Sequence, residues 1–393
     1  MIAVPARANH ILIILHDFST GGTERVAIRM ASRWAKAGRR VTILCGTHDG
    51  QLRSLVDRAI DVVAVQPEIR RGLFSRWSLA VAFAPQVRAL RPDLIFVPGN
   101  FHLAVASRLA GLLGEDRPPM ICKLSNPLHR AGRGPARQWL FERVARWLAA
   151  PLDGFVAMSE NLHAEATRIL GEPWIGMVAE PILDDAPVAS SAAEAKDVRP
   201  LILCIGRLVR QKNFVLAIRA FAVVAAHRNA RLLILGEGDQ RPALQREIEL
   251  SGLSDRIELA GHVADVRPAL ARAAMLLISS DFEGYPAVAI EALAARRPIV
   301  ATRCSPAIDE IMLHPSFGRI VDADPLSIAE AVTAMLDTPP PDEAALAQLL
   351  DRHRLGSASA QYLDLFDRMV VRRLPAGPAK VRSSAAISPA PAQ

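Results

Sequence analysis

The residues best suited to chemistry are two glutamates, Glu283 and Glu291, which are separated by seven residues. Glu291 stands in the run PAVAIEALAA, whose small apolar side chains predict a buried helix. A buried carboxylate without a partner is costly, so Glu291 requires hydrogen-bond donors. Either an arginine inside the fold supplies them, or the two hydroxyls of a bound ribose do, at about 1.5–3 kcal/mol for each charge-assisted bond. Glu283 precedes the helix in a loop and would face the adjoining part of the ligand.

Around the two glutamates, the sequence predicts a site for an anion. Pro286 suits the first turn of the helix, and the amides from Ala287 onward would be free to bind a diphosphate. Gly284 would let the backbone approach the ligand closely. Arg207 and Lys212, in the loop GRLVRQKN just after a strand, would reach the same diphosphate as a fork and as a point charge. The alternative for these two cations is an ordinary solvated loop.

Strand–loop–helix units must position these side chains, and the chain contains two sets of such units. Buried strands are predicted in the first half at 11–15, 41–45, 93–97, 120–125 and 154–159. Strands in the second half are predicted at 201–206, 231–236, 257–261, 275–280 and 298–302. Alternation of strands with helices predicts parallel sheets. Two such domains form a cleft between the carboxyl ends of their strands.

The predicted domain boundaries follow from composition. We expect a first α/β domain over 1–180, a linker rich in Pro, Ala, Ser and Asp over 181–200, and a second α/β domain over 201–355. A late helix over 356–372 is expected to cross back to the first domain. The low-complexity tail 373–393 is expected to be disordered.

Composition limits the class of protein. The chain has 393 residues, 51% of them hydrophobic and 22% charged, which predicts a globular and not a disordered protein. No run approaches the roughly 20 apolar residues of a membrane span, and the N-terminus lacks a signal-peptide pattern. Four singly spaced cysteines predict reduced thiols in the cytosol. The net charge of +7 favours anionic ligands or surfaces, or else reflects genomic composition, since only five of the cations are lysines.

The order of elements and the motifs resemble the family 4 retaining glycosyltransferases, which have the two-domain GT-B fold of Rossmann-like α/β domains. The likeness is strongest from LILCIGRLVRQKNFVLAIRAF to DFEGYPAVAIEALAARRPIVAT. It implies transfer of a sugar from a nucleotide-diphosphate donor, UDP- or GDP-linked, to a lipid-linked or saccharide acceptor, in polysaccharide, lipopolysaccharide or glycolipid biosynthesis. The first domain (1–180) would then be the acceptor side, and the second (201–355) would bind the nucleotide sugar. It also implies that no catalytic metal and no further cofactor are needed, because helix dipole and cations stabilise the leaving diphosphate.

The resemblance implies roles for particular residues. Those implied for catalysis are Glu283, which would face the hexose, together with Arg207, Lys212 and His102. Asn100 is the alternative to His102 for the contact with the donor sugar, because the segment PGNFHLAV is longer than the family's common form. Those implied for donor binding are Glu291, Gly284, Tyr285, Pro286, Ala287, Gly236, Gly238, His262, Val263, Gly21 and Gly22.

Three further motifs carry less weight. GEGDQR has Arg241 where a dinucleotide fingerprint needs its third glycine, which argues against a nicotinamide-binding loop. The turn DAD at 322–324 is interpreted as a helix entry and not as a metal site. AEPIL at 179–183 departs from the Asn-Pro pair usual in the family, which puts a hinge contact in doubt.

Residues 136–148 predict an amphipathic helix with Leu140, Val144, Trp147 and Leu148 on one stripe and Trp139, Arg143 and Arg146 away from it. Tryptophan beside arginine suits contact with a membrane surface, here the inner face of the membrane. The alternative is a helix packed on its own sheet with a solvated basic face.

Two other functions remain alternatives. A nicotinamide-dependent oxidoreductase would need a glycine fingerprint after the first strand, which HDFSTGGTE does not supply. A nucleic-acid-binding protein would need clustered cations with exposed aromatic side chains, and the arginines are dispersed.

Overall fold

The fold consists of two parallel sheets with helices on both faces. The structure is a computed structural model, and it describes residues 7–19, 21–129, 134–171, 173–185 and 199–373. Most of the predicted linker (186–198) and nearly all of the predicted tail (374–393) lie outside the described residues. The predicted GT-B architecture, two α/β domains that face one another, is confirmed.

The first sheet has seven strands in the order β3-β2-β1-β4-β5-β6-β7. Its strands are β1 (His10–Leu15), β2 (Arg40–Cys45), β3 (Asp61–Ala64), β4 (Leu94–Val97), β5 (Met120–Lys123), β6 (Gly154–Ala157) and β7 (Ile175–Met177). Its helices are α1 (Gly22–Lys36), α2 (Ser75–Leu90), α3 (Leu103–Leu113), α4 (Pro135–Ala149) and α5 (Glu160–Leu170). Strand β1 is buried along its whole length, as expected for a central strand covered on both faces.

The second sheet has six strands in the order β10-β9-β8-β11-β12-β13. Its strands are β8 (Leu201–Ile205), β9 (Arg231–Leu235), β10 (Ile257–Gly261), β11 (Met275–Ile278), β12 (Ile299–Thr302) and β13 (Gly318–Val321). Its helices are α6 (Phe214–His227), α7 (Arg241–Ser251), α8 (Arg267–Arg272), α9 (Ala287–Ala294), α10 (Pro306–Ile311), α11 (Pro325–Met335) and α12 (Glu343–Arg352).

Three strands, β3, β7 and β13, are additions to those expected from the sequence. All three lie at the edges of their sheets. An edge strand is covered on fewer sides, and these three carry partly exposed residues instead of a continuous buried run. Their sequences therefore lack the pattern that identifies a central strand.

The last helix, α13 (Leu355–Arg373), packs on the first domain although it follows the second in sequence. Its Tyr362 and Phe366 join Trp34 of α1 and Phe96 of β4 in a cluster whose ring centroids are 5.0 to 5.9 Å apart. Four of these six pairs are edge-on, an arrangement that aromatic rings favour at such distances, and the other two are tilted. The chain therefore crosses between the two domains twice.

Helix α4 presents its large apolar side chains to solvent. Trp139 is 60% exposed and Trp147 72%, and Leu140 and Val144 are exposed with them. Its buried positions hold Gln138, Ala145 and Ala149. Of the predicted apolar stripe, Leu148 packs partly against the core of the domain, whereas Leu140, Val144 and Trp147 face solvent. Within the described ranges, no helix is both long and apolar enough to cross a membrane.

Candidate active site

Each sheet reverses its strand order at one point. The reversal lies between β1 and β4 in the first sheet and between β8 and β11 in the second. Ligands of parallel α/β sheets bind in the crevice outside the carboxyl ends of the strands at such a reversal. The loops that follow these four strands carry most of the residues that the sequence singles out.

Hydrogen bonds join the loops after β8 and β11 into one unit. Gln211 Nε2 donates to the Phe282 carbonyl at 2.7 Å. Asn213 Nδ2 donates to Asp281 Oδ1 at 2.8 Å, and the Asp281 amide donates to the Gln211 carbonyl at 2.9 Å. Residues almost 70 positions apart are thereby held together at the second reversal point.

Lys212 and Glu283 form an ion pair inside this unit, with 2.5 Å between Nζ and Oε1. The same oxygen accepts a hydrogen bond from Ser280 Oγ at 2.6 Å, and Oε2 carries neither bond. Glu283 is buried and Lys212 half-buried. Sequence reasoning assigned these residues to different parts of the donor and missed that they bind one another. It also missed Ser280, although the three polar residues SSD directly after a buried strand indicate a possible site residue there.

Arg207 differs from Lys212. Its side chain is exposed, and among the described residues its guanidinium has no ion pair or hydrogen bond. One cation at this edge is therefore neutralised by a carboxylate, and the other is available to a ligand.

The glycines Gly236 and Gly238 allow two backbones to touch. A Cβ at Gly236 would lie 1.8 Å from the Gly206 carbonyl oxygen, and one at Gly238 would lie 2.3 Å from that of Leu208. Gly236 also has a φ of 147°, which favours glycine. The structure therefore gives both glycines a packing role in bringing the loops after β8 and β9 together.

His262 and Val263 follow β10, the strand beyond β9. The Gly236 amide donates to the Gly261 carbonyl at 2.8 Å, which ties this loop to the preceding one. His262 is exposed and Val263 half-buried. Both therefore lie at the rim of the carboxyl edge, where two strands, β9 and β8, separate β10 from β11.

The start of α9 differs from the expectation. Pro286 is the N-cap and lies outside the helix, with φ −78° and ψ 75°, close to an inverse γ-turn. The Ala287 amide donates to the Tyr285 carbonyl at 2.9 Å, and the Ala289 amide donates to the Pro286 carbonyl at 2.9 Å. The prediction that the amides are free from Ala287 onward is therefore wrong, because the turn at Pro286 uses the first of them.

Glu291 lies on α9 as a half-buried carboxylate. In the part of the chain that the structure describes, it forms no hydrogen bond and no ion pair. Burial raises the pKa of Glu291, and the charges of Arg29 and Arg25 on α1 act in the opposite direction. The alternative of an arginine partner inside the fold is not realised as a contact. The carboxylate is left with its acceptor capacity unused.

On the first domain, His102 is buried with a defined tautomer. Its Nε2 accepts a hydrogen bond from the His16 amide at 3.2 Å. Burial lowers the pKa of His102 to about 3, so the ring is neutral and Nδ1 carries the proton. Within the described residues Nδ1 has no partner. His102 therefore keeps one unused donor at the first reversal point.

Asn100, the alternative to His102, has both ends of its amide engaged. Its Oδ1 accepts from the Ser125 amide at 2.7 Å, and its Nδ2 donates to the Asn126 carbonyl at 3.0 Å. These contacts join the loops after β4 and β5. The geometry favours His102 over Asn100 as the residue with capacity for a ligand.

Ser125 connects the two domains at the cleft. A Cβ at Gly284 would lie 2.6 Å from the Ser125 carbonyl oxygen, and one at Gly99 would lie 2.7 Å from Ser125 Oγ. Gly284 thus brings the backbone after β11 against the first domain, a contact that the sequence analysis had assigned to a ligand. The loop that carries Glu283 and the loop that carries His102 therefore both contact Ser125.

The glycine loop before α1 is also at this edge. A Cβ at Gly21 would lie 2.2 Å from Glu24 Oε2, whereas Gly22 has open space around it.

Arg71 lies near this loop, with 2.5 Å from its Nε to Asp17 Oδ2 and 3.6 Å from its Nη2 to Glu24 Oε1. The pKa of Asp17 is lowered to about 2 by its hydrogen bonds to Arg71 and Ser19, which outweigh the effect of burial. Sequence reasoning missed Asp17, although an aspartate directly after a buried strand is a signal for it.

Tyr285 is turned away from these loops. Its hydroxyl lies 3.2 Å from His353 Nε2, and burial raises the pKa of the phenol. The side chain thus contacts the segment that joins the domains, and the role of Tyr285 in donor binding stays a prediction.

The turn at 322–324 is a helix entry, as predicted. Asp324 Oδ1 accepts from the amides of Leu326 and Ser327 at 3.0 Å each and caps α11. Across the described ranges, no three His, Cys, Asp or Glu side chains are grouped so that they could hold a metal ion.

Two family models match the chain, one in each domain. The model described as Glycosyl transferases group 1 matches residues 199–338. The model described as Glycosyl transferase 4-like domain matches residues 21–175. The two matches include the loops after β4, β8, β9, β10 and β11, whereas Asp17 and His353 lie outside them.

Curated relatives are similar over different shares of their length. An exopolysaccharide phosphotransferase of Streptomyces coelicolor is 31% identical over 58% of this chain and 24% of its own length. The lipopolysaccharide core biosynthesis glycosyltransferase LpsD of Rhizobium meliloti is 29% identical over 48% of this chain and 55% of its own. The chain thus spans about a quarter and about half of these two proteins. An uncharacterized glycosyltransferase of Haemophilus influenzae is 25% identical over 88% of this chain and 94% of its own.

Solved structures share the fold. A glycosyltransferase from Rickettsia africae superposes with a TM-score of 0.75 at 15% identity, covering 92% of this chain and 98% of its own. HepE of Anabaena, in complex with UDP and glucose, superposes with a TM-score of 0.72 at 18% identity, covering 90% and 98%.

Proposed function

Because the chain belongs to the group 1 glycosyltransferases and has the GT-B fold, we propose that it transfers a sugar from a nucleotide-diphosphate donor to an acceptor hydroxyl, with retention of the anomeric configuration. The observation that carries the proposal is the unused acceptor capacity of Glu291, a half-buried carboxylate without a partner in the described chain. The relatives' names support a role in polysaccharide, lipopolysaccharide or glycolipid biosynthesis.

The donor would bind mainly to the second domain. Glu291 would accept both ribose hydroxyls, which supply the donors that it lacks. The diphosphate would contact Arg207, whose guanidinium is exposed, and would share Lys212 with Glu283. Glu283 would offer Oε2 to a hydroxyl of the hexose, because its Oε1 is held by Lys212 and Ser280. The complex of HepE with UDP supports a uridine donor, and GDP-linked sugars are the alternative.

Transfer would occur where the two domains meet. The acceptor oxygen bonds to the anomeric carbon on the face from which the diphosphate oxygen departs, and the acceptor proton passes to the diphosphate. Arg207 and Lys212 would stabilise the negative charge that develops there. His102 would donate its Nδ1 proton in a hydrogen bond to the donor sugar, and the Ser125 contact places its loop beside that of Glu283.

We propose that these two cations replace a divalent metal in neutralising the leaving group, and that no further cofactor takes part. Turnover is accordingly expected to persist in excess EDTA. Abolition by EDTA with recovery on adding magnesium or manganese would contradict the metal-free account.

The acceptor would be lipid-linked or a saccharide, and α4 would touch an anionic membrane surface at the cytoplasmic face. Exposed Trp139, Leu140, Val144 and Trp147 support this, and Arg143 lies 5.1 Å from the Trp139 ring centroid. A second exposed set (Leu73, Phe74, Trp77 and Val81) lies in and just before α2. Helix α3 packs against both α2 and α4, which puts both sets on one side of the sheet. Aromatic and arginine side chains together suit the interface of an anionic bilayer.

The proposed function is tested by thermal unfolding with UDP, GDP, ADP and NAD. One of the three nucleoside diphosphates is expected to stabilise the protein, by about 2.7 kcal/mol at a hundred times its Kd. Stabilisation by NAD alone would favour the oxidoreductase, which the family matches do not favour. No stabilisation by any of the four would remove the donor site from the proposal.

A further inference from the structure

The two segments that join the domains pair with one another at and just after His353. Its carbonyl accepts hydrogen bonds from the amides of Ile182 and Leu183, each at 3.0 Å. The Leu355 amide returns a bond to the Leu183 carbonyl at 2.9 Å. The outgoing and returning crossings are thus paired with one another on both sides of His353.

The outgoing segment, residues 180–184, is anchored on the first domain. The Glu180 carboxylate lies 2.5 Å from Lys123 Nζ at the end of β5, and both side chains are largely buried. Arg29 of α1 donates to Asp184 Oδ1 at 2.7 Å. The position of residues 180–184 therefore follows the position of the first domain.

The side chain of His353 links this anchored segment to the donor-side loop. His353 is 2% exposed. Its Nδ1 lies 3.0 Å from the Glu180 carbonyl oxygen, which only accepts, so Nδ1 carries the proton. Its Nε2 is then the acceptor for the Tyr285 hydroxyl at 3.2 Å. Burial lowers the pKa of His353 to about 4, which keeps this arrangement of one donor and one acceptor at neutral pH.

Tyr285 occupies the middle of the donor-side loop. It is two residues after Glu283, and its carbonyl accepts the Ala287 amide in the turn that starts α9. Its ring also packs on that of His353, with 5.6 Å between centroids. Holding the Tyr285 ring therefore restrains both the backbone of Glu283 and the start of the helix that carries Glu291.

We propose that His353 is a positioning residue that couples the orientation of the two domains to the geometry of the loop 283–286, through Glu180 on one side and Tyr285 on the other. His353 touches no reacting group and acts only through Tyr285. The kinetic part of this inference rests on the proposed function, whereas the structural part does not.

The test compares His353→Phe, Tyr285→Phe and the double variant with a control, His10→Phe. His10 is also buried, on β1, and its Nε2 lies 2.9 Å from Thr42 Oγ1, so the control removes a comparable hydrogen bond far from the loop. Amide hydrogen exchange of the segment 281–294 is expected to quicken about fivefold in His353→Phe and in Tyr285→Phe, and to be unchanged in the control. Unchanged exchange in this segment would overturn the proposal, whatever the enzyme does.

Kinetics give the second readout. The donor KM is expected to rise about fivefold in His353→Phe and in Tyr285→Phe, and no further in the double variant, because both substitutions break one link. A loss of folded enzyme would lower the apparent kcat but would not raise the KM. Additive effects, or an equal rise in His10→Phe, would overturn the coupling. If the unsubstituted protein uses no nucleotide sugar, the proposed function fails, and hydrogen exchange still decides the role of His353.

Discussion

At the scale of single residues, the charges at the carboxyl edges fall into two kinds. Lys212 and Glu283 are paired at 2.5 Å, whereas Glu291 and Arg207 have no partner in the described chain. A paired charge is already compensated, and a ligand must share or displace its partner. An unpaired charge in a crevice can be satisfied directly by a ligand group of opposite polarity. The two kinds of residue should therefore respond differently to substitution.

The variant Glu291→Gln should keep the fold and bind the donor nucleotide less tightly. The amide retains the shape of the carboxylate but loses charge-assisted acceptance of the ribose hydroxyls. Titration calorimetry with the stabilising nucleotide should show a loss of at least about 1 kcal/mol. Because burial raises the pKa of Glu291, its free carboxylate gains protons as pH falls, and the affinity difference should narrow towards acid pH. An unchanged affinity at neutral pH would contradict the assignment of Glu291 to the ribose hydroxyls.

Arg207→Ala and Lys212→Ala should each lower kcat by about 100-fold or more and should raise the donor KM by a smaller factor. The reason is that both cations stabilise negative charge that develops in the transition state. Steady-state kinetics should show the double variant to be less than additively worse. Lys212→Ala should also lower the unfolding temperature, since it leaves the buried Glu283 without its ion-pair partner. Arg207→Ala should not, because the guanidinium is exposed and unpartnered. A raised KM with normal kcat would reduce both residues to passive binding.

At the scale of elements, α4 differs from an ordinary amphipathic helix because most of its large apolar side chains face solvent and not the domain. Its small side chains, Ala145 and Ala149, face the domain, and its tryptophans face outward. Small residues let a helix approach its neighbours closely, whereas a contiguous exposed apolar face requires a partner. The arginines among these tryptophans suit an anionic partner.

Replacing Trp139 and Trp147 together by serine should release the protein from vesicles of phosphatidylglycerol and phosphatidylcholine. Sedimentation should show an affinity about tenfold weaker or more, since each ring would lose its apolar burial in the bilayer. The control is Leu250→Ser, which removes an 84% exposed side chain from α7 on the second domain. Equal binding of both variants would exclude α4 as the membrane contact.

At the scale of the whole molecule, several histidines are buried in the neutral form. Burial lowers the pKa of His102 to about 3 and that of His353 to about 4, and it also lowers those of His10 and His16. The ordinary pKa of a histidine side chain is about 6.5. Between these values the unfolded chain binds protons that the folded chain does not. The stability that these residues contribute is complete above the unfolded pKa and is lost as pH falls.

The free energy of unfolding should therefore fall from pH 7 to pH 5, by about 2 kcal/mol each for His102 and His353 at pH 5. Urea titrations at pH 7, 6 and 5 measure this. His102→Gln and His353→Gln should each reduce the pH dependence, and His48→Gln, an exposed position, should not. Asp17, with a pKa of about 2 against a usual 3.8, adds a loss only below that range. Glu291, whose pKa is raised by burial, acts in the opposite direction to the histidines, so the histidine variants are needed to identify their contribution. A flat profile from pH 7 to 5 would contradict the neutral buried state.

The central strands, the helices beside them and the loops that form the site could be predicted from the sequence. These features depend on local periodicity: β1, β4 and β8 are short apolar runs bounded by loop residues, and Glu291 stands out as a charge in an apolar helix. The resemblance of such motifs to one family then predicted GT-B architecture, which the sheets confirm.

The contacts between distant segments could not be predicted in this way. The pairing of Lys212 with Glu283, the bridge from Glu180 through His353 to Tyr285, and the approach of Gly284 to Ser125 join residues between 68 and 173 positions apart. No local pattern encodes such contacts, because each depends on strand order and domain orientation. The same holds for the exposed stripe of α4. Periodicity shows that a helix has an apolar face, and the neighbouring elements decide whether that face is covered.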